Sequence, residues 1–153
     1  FDMEVRGIDP DPRPAMETVD TWYTPDEMKK ALETTDHLVL ACPLTETTRG
    51  MIGQDELSTL PDDAVLLNIA RGEIIERQAL QHALETGTIG AAVLDVTWDE
   101  PLPEDSPFWD YEKCLISPHI AGLSPRYGER LAELFEQNYQ AFLNGDSLPT
   151  GLE

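Results

Sequence analysis

The apolar positions of this 153-residue chain fall into short continuous runs, and segments with helical spacing lie between them. The runs that predict strands are Met3–Asp9, His37–Cys42, Ala64–Ala70, Gly90–Val96 and Cys114–Ser117. Near-continuous apolar runs are typical of strands that are buried on both faces of a parallel sheet. Strands that alternate with helices predict the same architecture. We therefore expect an α/β fold in which helices cover both faces of a parallel sheet.

The segments between the strands carry signals for the start and the end of helices. The predicted helices are one that starts at Thr24, then Gln54–Leu60, Arg77–Glu85 and Ser124–Leu143. Thr24 and Glu27 have the spacing of a capping box. Gly87 and Gly145 are expected to end the last two helices, because glycine readily adopts the left-handed conformation found there. One face of the last helix carries the apolar residues Leu131, Leu134, Phe135, Tyr139 and Phe142.

The chain is strongly acidic, with 30 Asp and Glu residues against 10 Lys and Arg residues and a formal net charge of −20. This charge repels nucleic acids and anionic membranes, so we expect neither as a partner. No apolar run approaches the roughly 18 residues that a membrane span requires, and no signal peptide is visible. Because the acids are dispersed along the chain, we expect a protein of a salt-loving microbe, with an ordinary acidic enzyme as the alternative.

Cys42 and Cys114 are the only cysteines, and they do not form a CxxC pair. Free, buried thiols in a reducing cytoplasm are the expected arrangement. The histidines show no metal-ligand spacing, so no metal site is predicted. The chain begins at Phe1 and runs at once into a strand-like segment, and we therefore expect it to be a piece of a longer protein.

Three charged residues follow three successive predicted strands: Arg71, Glu100 and His119. Open α/β sheets bind their ligands at the carboxyl ends of their strands. The planar fork of Arg71 suits a substrate carboxylate or keto oxygen, with a surface salt bridge as the alternative. His119 is a natural general acid, with a core histidine as the alternative. A carboxylate such as Glu100 on its far nitrogen would fix the tautomer and favour the imidazolium, so this trio has the groups needed to reduce a 2-keto acid.

Two further acids and one arginine have positions that suit a nucleotide. Asp9 ends the first predicted strand, where an acid accepts hydrogen bonds from an adenosine ribose, although an Asp-Pro turn is the alternative. The Gly-rich turn that normally precedes this acid by about 20 residues would lie before Phe1. Arg13 could hold a 2′-phosphate, so NAD is favoured and NADP stays open. Asp95 ends another strand at the same crevice, or it caps a turn.

Several ordered motifs together resemble one family, the D-isomer specific 2-hydroxyacid dehydrogenases. The motifs are Cys-Pro-Leu-Thr-Glu-Thr-Thr-Arg-Gly at 42–50, Asn-Ile-Ala-Arg-Gly at 68–72, Ala-Val-Leu-Asp-Val at 92–96, Asp-Glu-Pro at 99–101 and Ser-Pro-His-Ile-Ala-Gly at 117–122. The resemblance implies a Rossmann-like parallel sheet in a fragment of a two-domain protein. Residues 1–122 would be the later part of the dinucleotide-binding domain. Residues 123–153 would be the C-terminal helix and tail that return to the substrate domain.

The resemblance also implies roles for the trio. Arg71 would bind the carboxylate and carbonyl of a small 2-keto acid or 2-hydroxy acid. His119 would donate a proton to the C2 oxygen as hydride arrives from NADH or NADPH. Glu100 would orient His119 and favour its protonated form. Formate dehydrogenases of this superfamily have glutamine at the position of Glu100, so the glutamate favours keto-acid chemistry.

The remaining implied residues concern the cofactor. Asp95 and the backbone at Ile69 and Ala70 would hold the carboxamide, and Asp9 would hold the ribose. The residues expected to line the cofactor or to let the backbone approach it are Cys42, Pro43, Thr47 and Gly122. The family forms dimers through its cofactor domains, so a homodimer is expected. The fragment alone is expected to be inactive.

The family leaves alternatives for the function. Phosphoglycerate dehydrogenase and glyoxylate or hydroxypyruvate reductase are alternatives within the same chemistry. An NAD-sensing co-repressor is an alternative of another class, although the acidic charge speaks against it. No Gly-x-Ser-x-Gly motif, P-loop or reactive cysteine supports a hydrolase or a kinase.

Overall fold

The structure of the protein is a computed structural model that describes residues 2–11 and 18–149. These residues form two compact units, Phe1–His119 and Ile120–Glu153. The predicted boundary between the two domains lay three residues later, after Gly122, and the domain assignment itself stays a prediction.

The described residues of the first unit form six short parallel strands and three helices. The strands are β1 Arg6–Ile8, β2 Thr21–Tyr23, β3 His37–Leu40, β4 Val65–Asn68, β5 Ala91–Leu94 and β6 Cys114–Ile116. The helices are α1 Met28–Leu32, α2 Gln54–Thr59 and α3 Arg77–Thr86, and single 3₁₀ turns cover Pro25–Glu27, Gly72–Ile74 and Pro107–Trp109. β1 pairs with β2, and the other strands form a sheet in the order β3-β4-β5-β6. The α/β fold with parallel strands is therefore confirmed.

The register of the four-stranded sheet separates its residues into two faces. On one face Leu66 pairs with Ala92 and Leu38, and all three are buried in the apolar core together with α1, α2 and α3. The other face carries Val39 and Leu115 on the outer strands, which are 51% and 60% exposed. Burial on both faces was predicted for β3, but in the structure it is buried on one face only, because nothing in the described part of the chain covers Val39.

The helix ends follow the local sequence. The Glu27 carboxylate accepts a hydrogen bond from the Thr24 backbone N–H at 3.2 Å, which is one half of the predicted capping box. Ala31 and Leu32 are buried, as expected of the inward side of α1. Gly87 ends α3 in the left-handed conformation at φ 71°, where a side chain would be strained.

The second unit contains one long helix, α4 Tyr127–Asn144, and Gly145 ends it at φ 76°. The helix begins later than predicted, because Tyr127 N–H first makes a turn to the Ser124 carbonyl at 3.0 Å. Within this unit the aromatic rings of Phe135 and Tyr139 stack at 6.1 Å. Among the described residues, no helix has the length and apolar character needed to cross a membrane.

Candidate functional site

The predicted site residues Arg71, Glu100 and His119 lie in segments that follow strands of the four-stranded sheet, at its carboxyl edge. Because all four strands are parallel, the residues that follow them emerge at the same edge. Backbone hydrogen bonds tie these strand ends together: Asp95 N–H donates to the Asn68 carbonyl at 3.0 Å, and His119 N–H donates to the Asp95 carbonyl at 2.9 Å. The topology thus brings the segments that carry Arg71, Glu100 and His119 to one edge.

A buried asparagine shapes the segment that carries Arg71. Asn68 is 0% exposed; its Nδ2 donates to the Arg71 carbonyl at 2.8 Å, and its Oδ1 accepts from Ala70 N–H at 3.0 Å. The Arg71 side chain is exposed, and Nη1 donates to the Ala70 carbonyl at 2.6 Å. Asn68 fixes the turn from which the guanidinium projects. Sequence reasoning did not single out Asn68, although a polar residue at the end of an apolar strand is a usable signal.

A glycine brings the Arg71 segment close to the segment that leads to Glu100. A Cβ on Gly72 would lie 2.3 Å from the Thr97 carbonyl carbon and 2.5 Å from the Trp98 nitrogen. Only glycine permits this backbone approach, because the clash is with main-chain atoms that cannot rotate away.

Glu100 and His119 form a direct pair. Glu100 Oε2 lies 2.7 Å from His119 Nδ1, a distance that a charge-assisted hydrogen bond gives. The two side chains are 40% and 48% exposed, so solvent reaches both. His119 has φ 54°, a left-handed conformation that is uncommon for a residue with a side chain. Such strain is often found at functional sites.

Electrostatics favours the ionised form of Glu100. The hydrogen bond from His119 lowers the pKa of the Glu100 carboxyl most, and partial burial opposes it. The Thr97 backbone N–H, which donates to Oε1 at 3.1 Å, and the charges of His119 and Arg71 lower it further. A carboxylate at this place is therefore ready to hold an N–H of the histidine ring.

Asp95 is a buried carboxyl beside this pair. It is 5% exposed, and Ser117 Oγ donates to its Oδ1 at 2.5 Å. Asp95 also belongs to a cleft of about 370 Å³ that opens beside Glu100 and His119. The hydroxyl residues Thr97 and Ser117 also line this cleft, and the remaining lining residues are apolar, among them Trp109 and Ile116. Arg71 is not one of its lining residues.

Asp9, which is expected to hold the adenosine ribose, directly follows β1. Its N–H donates to the Tyr23 carbonyl at 3.1 Å. Its Oδ1 accepts from Asp11 N–H at 2.8 Å, which is the turn that the sequence offered as the alternative role. Arg13 lies outside the described residues. A turn-forming Asp9 keeps its other carboxylate oxygen available for a second role, so the two interpretations do not exclude each other.

The loop after β3 carries Pro43 and Thr47. Hydroxyls stabilise the loop: Thr48 Oγ1 donates to the Pro43 carbonyl at 2.7 Å, and the hydroxyls of Thr45 and Thr47 lie 2.9 Å apart. After β4, Ile69 is 46% exposed and Ala70 is buried. Gly122 belongs to the second unit, and its expected place beside a cofactor stays a prediction.

Both cysteines are free and only half-buried, rather than fully buried as predicted. Burial raises the pKa of the Cys42 thiol, and it raises the pKa of Cys114 to about 11. Both thiols are therefore protonated and poorly nucleophilic at neutral pH.

The fold and the position of these residues define a dinucleotide-binding α/β domain. Residues 1–121 match the family described as D-isomer specific 2-hydroxyacid dehydrogenase, NAD binding domain, and the chain belongs to this family.

Relatives and solved structures agree with this assignment. The chain is 39% identical over 127 residues to a glyoxylate reductase of Korarchaeum cryptofilum. This alignment covers 83% of this chain and 38% of that protein. It is 37% identical over 118 residues to the human glyoxylate reductase/hydroxypyruvate reductase, covering 77% of this chain and 36% of that protein. A D-isomer specific 2-hydroxyacid dehydrogenase of Xanthobacter autotrophicus Py2, solved with NADPH and MES, matches with a TM-score of 0.88 and 31% identity over 98% of this chain and 61% of that one. The chain thus spans about two fifths of these curated relatives.

Proposed function

We propose that the chain is part of an NAD(P)-dependent D-2-hydroxyacid dehydrogenase that reduces small 2-keto acids. The observation that carries the proposal is the 2.7 Å pair between Glu100 and His119 at the sheet edge that also presents Arg71. We further propose that residues 1–122 belong to the dinucleotide-binding domain and residues 123–153 return to a substrate domain. On this proposal the chain alone is inactive, because the substrate domain supplies the other wall of the cleft.

In the proposed reaction each residue of the trio has one task. The nicotinamide, when bound, supplies the hydride. The Arg71 guanidinium binds the substrate carboxylate and stabilises the negative charge that develops on the carbonyl oxygen. Protonated His119 donates from Nε2 to the C2 oxygen, since Nδ1 faces Glu100. The ionised Glu100 carboxylate accepts from the Nδ1 side of the ring and holds the ring in place during this transfer.

The chain's own donors and acceptors fit a dinucleotide. Carboxylates accept from hydroxyl and amide donors, which suits Asp9 for the ribose and Asp95 for the carboxamide. The backbone at Ile69 and Ala70 would share the carboxamide. The residues proposed to line the cofactor are Cys42, Pro43, Thr47 and Gly122. NAD is favoured because Asp9 would repel a 2′-phosphate, whereas Arg13 leaves NADP open.

A turnover assay of the complete enzyme with NADH and with NADPH tests the proposal. Glyoxylate, hydroxypyruvate and pyruvate should be reduced, and the product should be the D-isomer where it is chiral. Absence of turnover with all three acids and both cofactors, in a protein that binds NADH, would favour the NAD-sensing binding module instead.

Within this chemistry, glyoxylate or hydroxypyruvate reductase is the favoured substrate class, because the similar proteins of Korarchaeum cryptofilum and of human carry those names. Phosphoglycerate dehydrogenase is the alternative, and preference for 3-phosphohydroxypyruvate over glyoxylate in the same assay would support it.

We also propose a homodimer, a cytoplasmic location and adaptation to high salt for the complete protein. The first extends the expectation drawn from the family. The other two rest on the free thiols and on the net charge of −20. Size-exclusion chromatography with light scattering at high and low salt tests the dimer.

A further inference from the structure

Glu100 lies on an exposed loop, and its position depends on the residues immediately before it. Thr97 is buried at 8% exposure, and its Oγ1 donates to the Asp99 carbonyl at 2.7 Å. Its N–H holds Glu100 Oε1 at 3.1 Å. These contacts fix the start of the loop, but Asp99 and Glu100 themselves are exposed.

One side chain from another element reaches this loop. Arg77, on α3, forms an ion pair with the carboxylate of Asp99. The Arg77 guanidinium carbon also lies 5.1 Å from the centre of the Trp98 ring, within the range of a cation–π contact. Both contacts are made to the two residues that directly precede Glu100.

The aromatic partner is itself anchored to the core. Trp98 Nε1 donates to the Ile75 carbonyl at 2.7 Å, and its ring lies 5.0 Å from the ring of the buried Phe108. Trp98 therefore gives Arg77 a fixed surface, and Asp99 is drawn toward that surface by the charge.

Helix stability does not explain the arginine. Arg77 is the first residue of α3, where a positive charge opposes the helix dipole. The side chains of Arg77 and Asp99 are 43% and 56% exposed, and exposed pairs contribute little to stability. What the two contacts do accomplish is to restrict the loop next to Glu100.

We propose that Arg77 is a positioning residue that holds Asp99 against Trp98, so that Glu100 keeps its 2.7 Å contact with His119. This inference rests on the proposed function, in which Glu100 orients the proton donor. Arg77 itself touches neither substrate nor cofactor in this proposal.

The test compares Arg77→Met with Lys29→Met in the complete enzyme. Methionine keeps the apolar stem and removes the charge, and Lys29 is a matched exposed cation whose partner is Asp55 at 3.3 Å. In Arg77→Met we expect a roughly tenfold fall in kcat, since small misplacements of catalytic groups are costly. The KM for NADH and the melting temperature should stay close to those of the wild type, and Lys29→Met should change none of these quantities.

A second readout does not depend on turnover. In the ¹³C titration of the Glu100 carboxyl, Arg77→Met should raise the lowered pKa toward the ordinary value, because the contact with His119 loosens. Asp99→Asn should act in the same way, and the double variant should be no worse than either single one. An unmoved Glu100 titration in both single variants, or additive losses in the double variant, overturns the inference.

The failure of this inference can be told apart from that of the proposed function. If Glu100→Gln itself leaves kcat unchanged, the role of Glu100 in the proposed function is wrong. If Glu100→Gln lowers kcat and Arg77→Met does not, only the positioning role of Arg77 is wrong.

Discussion

The covered face of the four-stranded sheet consists of buried apolar residues, whereas its carboxyl edge carries exposed charged and polar residues. On the covered face, Leu66 and Ala92 are at most 1% exposed and touch apolar neighbours. At the edge, Arg71, Glu100 and His119 are charged or polar and exposed to solvent. Since burial of apolar area stabilises the fold and exposed charges contribute little to it, the two regions divide stability from chemistry. Substitutions should therefore affect one property and spare the other.

The largest effect is expected at the edge. His119→Ala should reduce turnover by about 10²–10⁴-fold, because it removes the proposed proton donor, while NADH affinity changes little. The melting temperature should stay within a few degrees of the wild type. Steady-state kinetics, NADH titration and thermal unfolding measure the three quantities. His82→Ala, an exposed histidine on α3, is the control, and parallel losses of NADH affinity and turnover would show a structural histidine instead.

Leu66→Ala should do the reverse. Removal of a fully buried leucine side chain costs about 2–5 kcal/mol in the free energy of unfolding. Turnover per folded molecule at low temperature should be nearly unchanged. Urea unfolding and active-site titration check this pair of outcomes. If turnover falls only in proportion to the folded fraction, Leu66 contributes to stability and not to chemistry. If the folded enzyme itself also loses turnover, the separation of stability from chemistry is contradicted.

Asn68 is expected to affect both stability and substrate binding. Asn68→Leu keeps a similar volume but leaves the Arg71 carbonyl and the Ala70 N–H without their present partner, at about 1–3 kcal/mol for each buried group. We expect lower stability and, in the folded enzyme, a raised KM for the keto acid, because the turn that presents Arg71 shifts. An unchanged KM for the keto acid together with lower stability would show that Asn68 contributes to stability alone, like the residues of the covered face.

Glu100→Gln should lower turnover less than His119→Ala does, because the histidine remains and only its acceptor changes. A neutral amide is a weaker acceptor for the Nδ1 hydrogen of His119 than the ionised Glu100 carboxylate, so the ring is held less firmly. We expect a roughly tenfold fall in kcat with little change in NADH affinity. Steady-state kinetics and NADH titration measure the two quantities, and an unchanged kcat would exclude Glu100 as the group that orients His119.

The same variant also gives a stability test, whose sign follows from the lowered pKa of Glu100. A lowered pKa in the folded state stabilises the fold above the ordinary value of 4.5, and this stabilisation is lost as pH falls through the folded-state pKa. The difference in melting temperature between wild type and Glu100→Gln should thus be constant near neutral pH and should narrow in acid. A difference that widens in acid would contradict the assigned cause.

The smallest effect is expected from the acidic residues of the surface, each of which changes the melting temperature only slightly. With a net charge of −20, added KCl should raise the melting temperature by several degrees between about 0.1 M and about 2 M, because salt screens the repulsion between the dispersed acids. Leu66→Ala should show the same salt slope, since the covered face carries no charge. A melting temperature independent of salt would argue against salt adaptation.

The sequence located most elements of the first unit because continuous apolar runs and helix caps are local signals. The predicted strands are longer than the observed ones, by one residue at β6 and by four at β1. The strand β2, Thr21–Tyr23, was not predicted, because three residues are too few to show a period. It pointed to Glu100 and His119 as a pair, but their 2.7 Å contact depends on the adjacency of β5 and β6.

Other contacts of the site could not be predicted from local signals. The pairing of Arg77 with Asp99 joins residues 22 positions apart, and in a chain with 30 acids many partners were open to this arginine. The role of Asn68 depends on a turn that only the folded backbone defines. Long-range contacts between exposed groups therefore had to come from the structure.

At Gly72 the segment that carries Arg71 and the segment that leads to Glu100 approach each other main chain to main chain. Any side chain there would push against the backbone of Thr97, and the peptide that bends toward Glu100 would have to retreat. Arg71 is joined to this glycine directly, so the absence of a side chain at position 72 sets how closely the Arg71 segment approaches the segment that leads to Glu100. Single substitutions can change the charges of this edge without moving its backbone, whereas any residue other than glycine at position 72 would force the two segments apart.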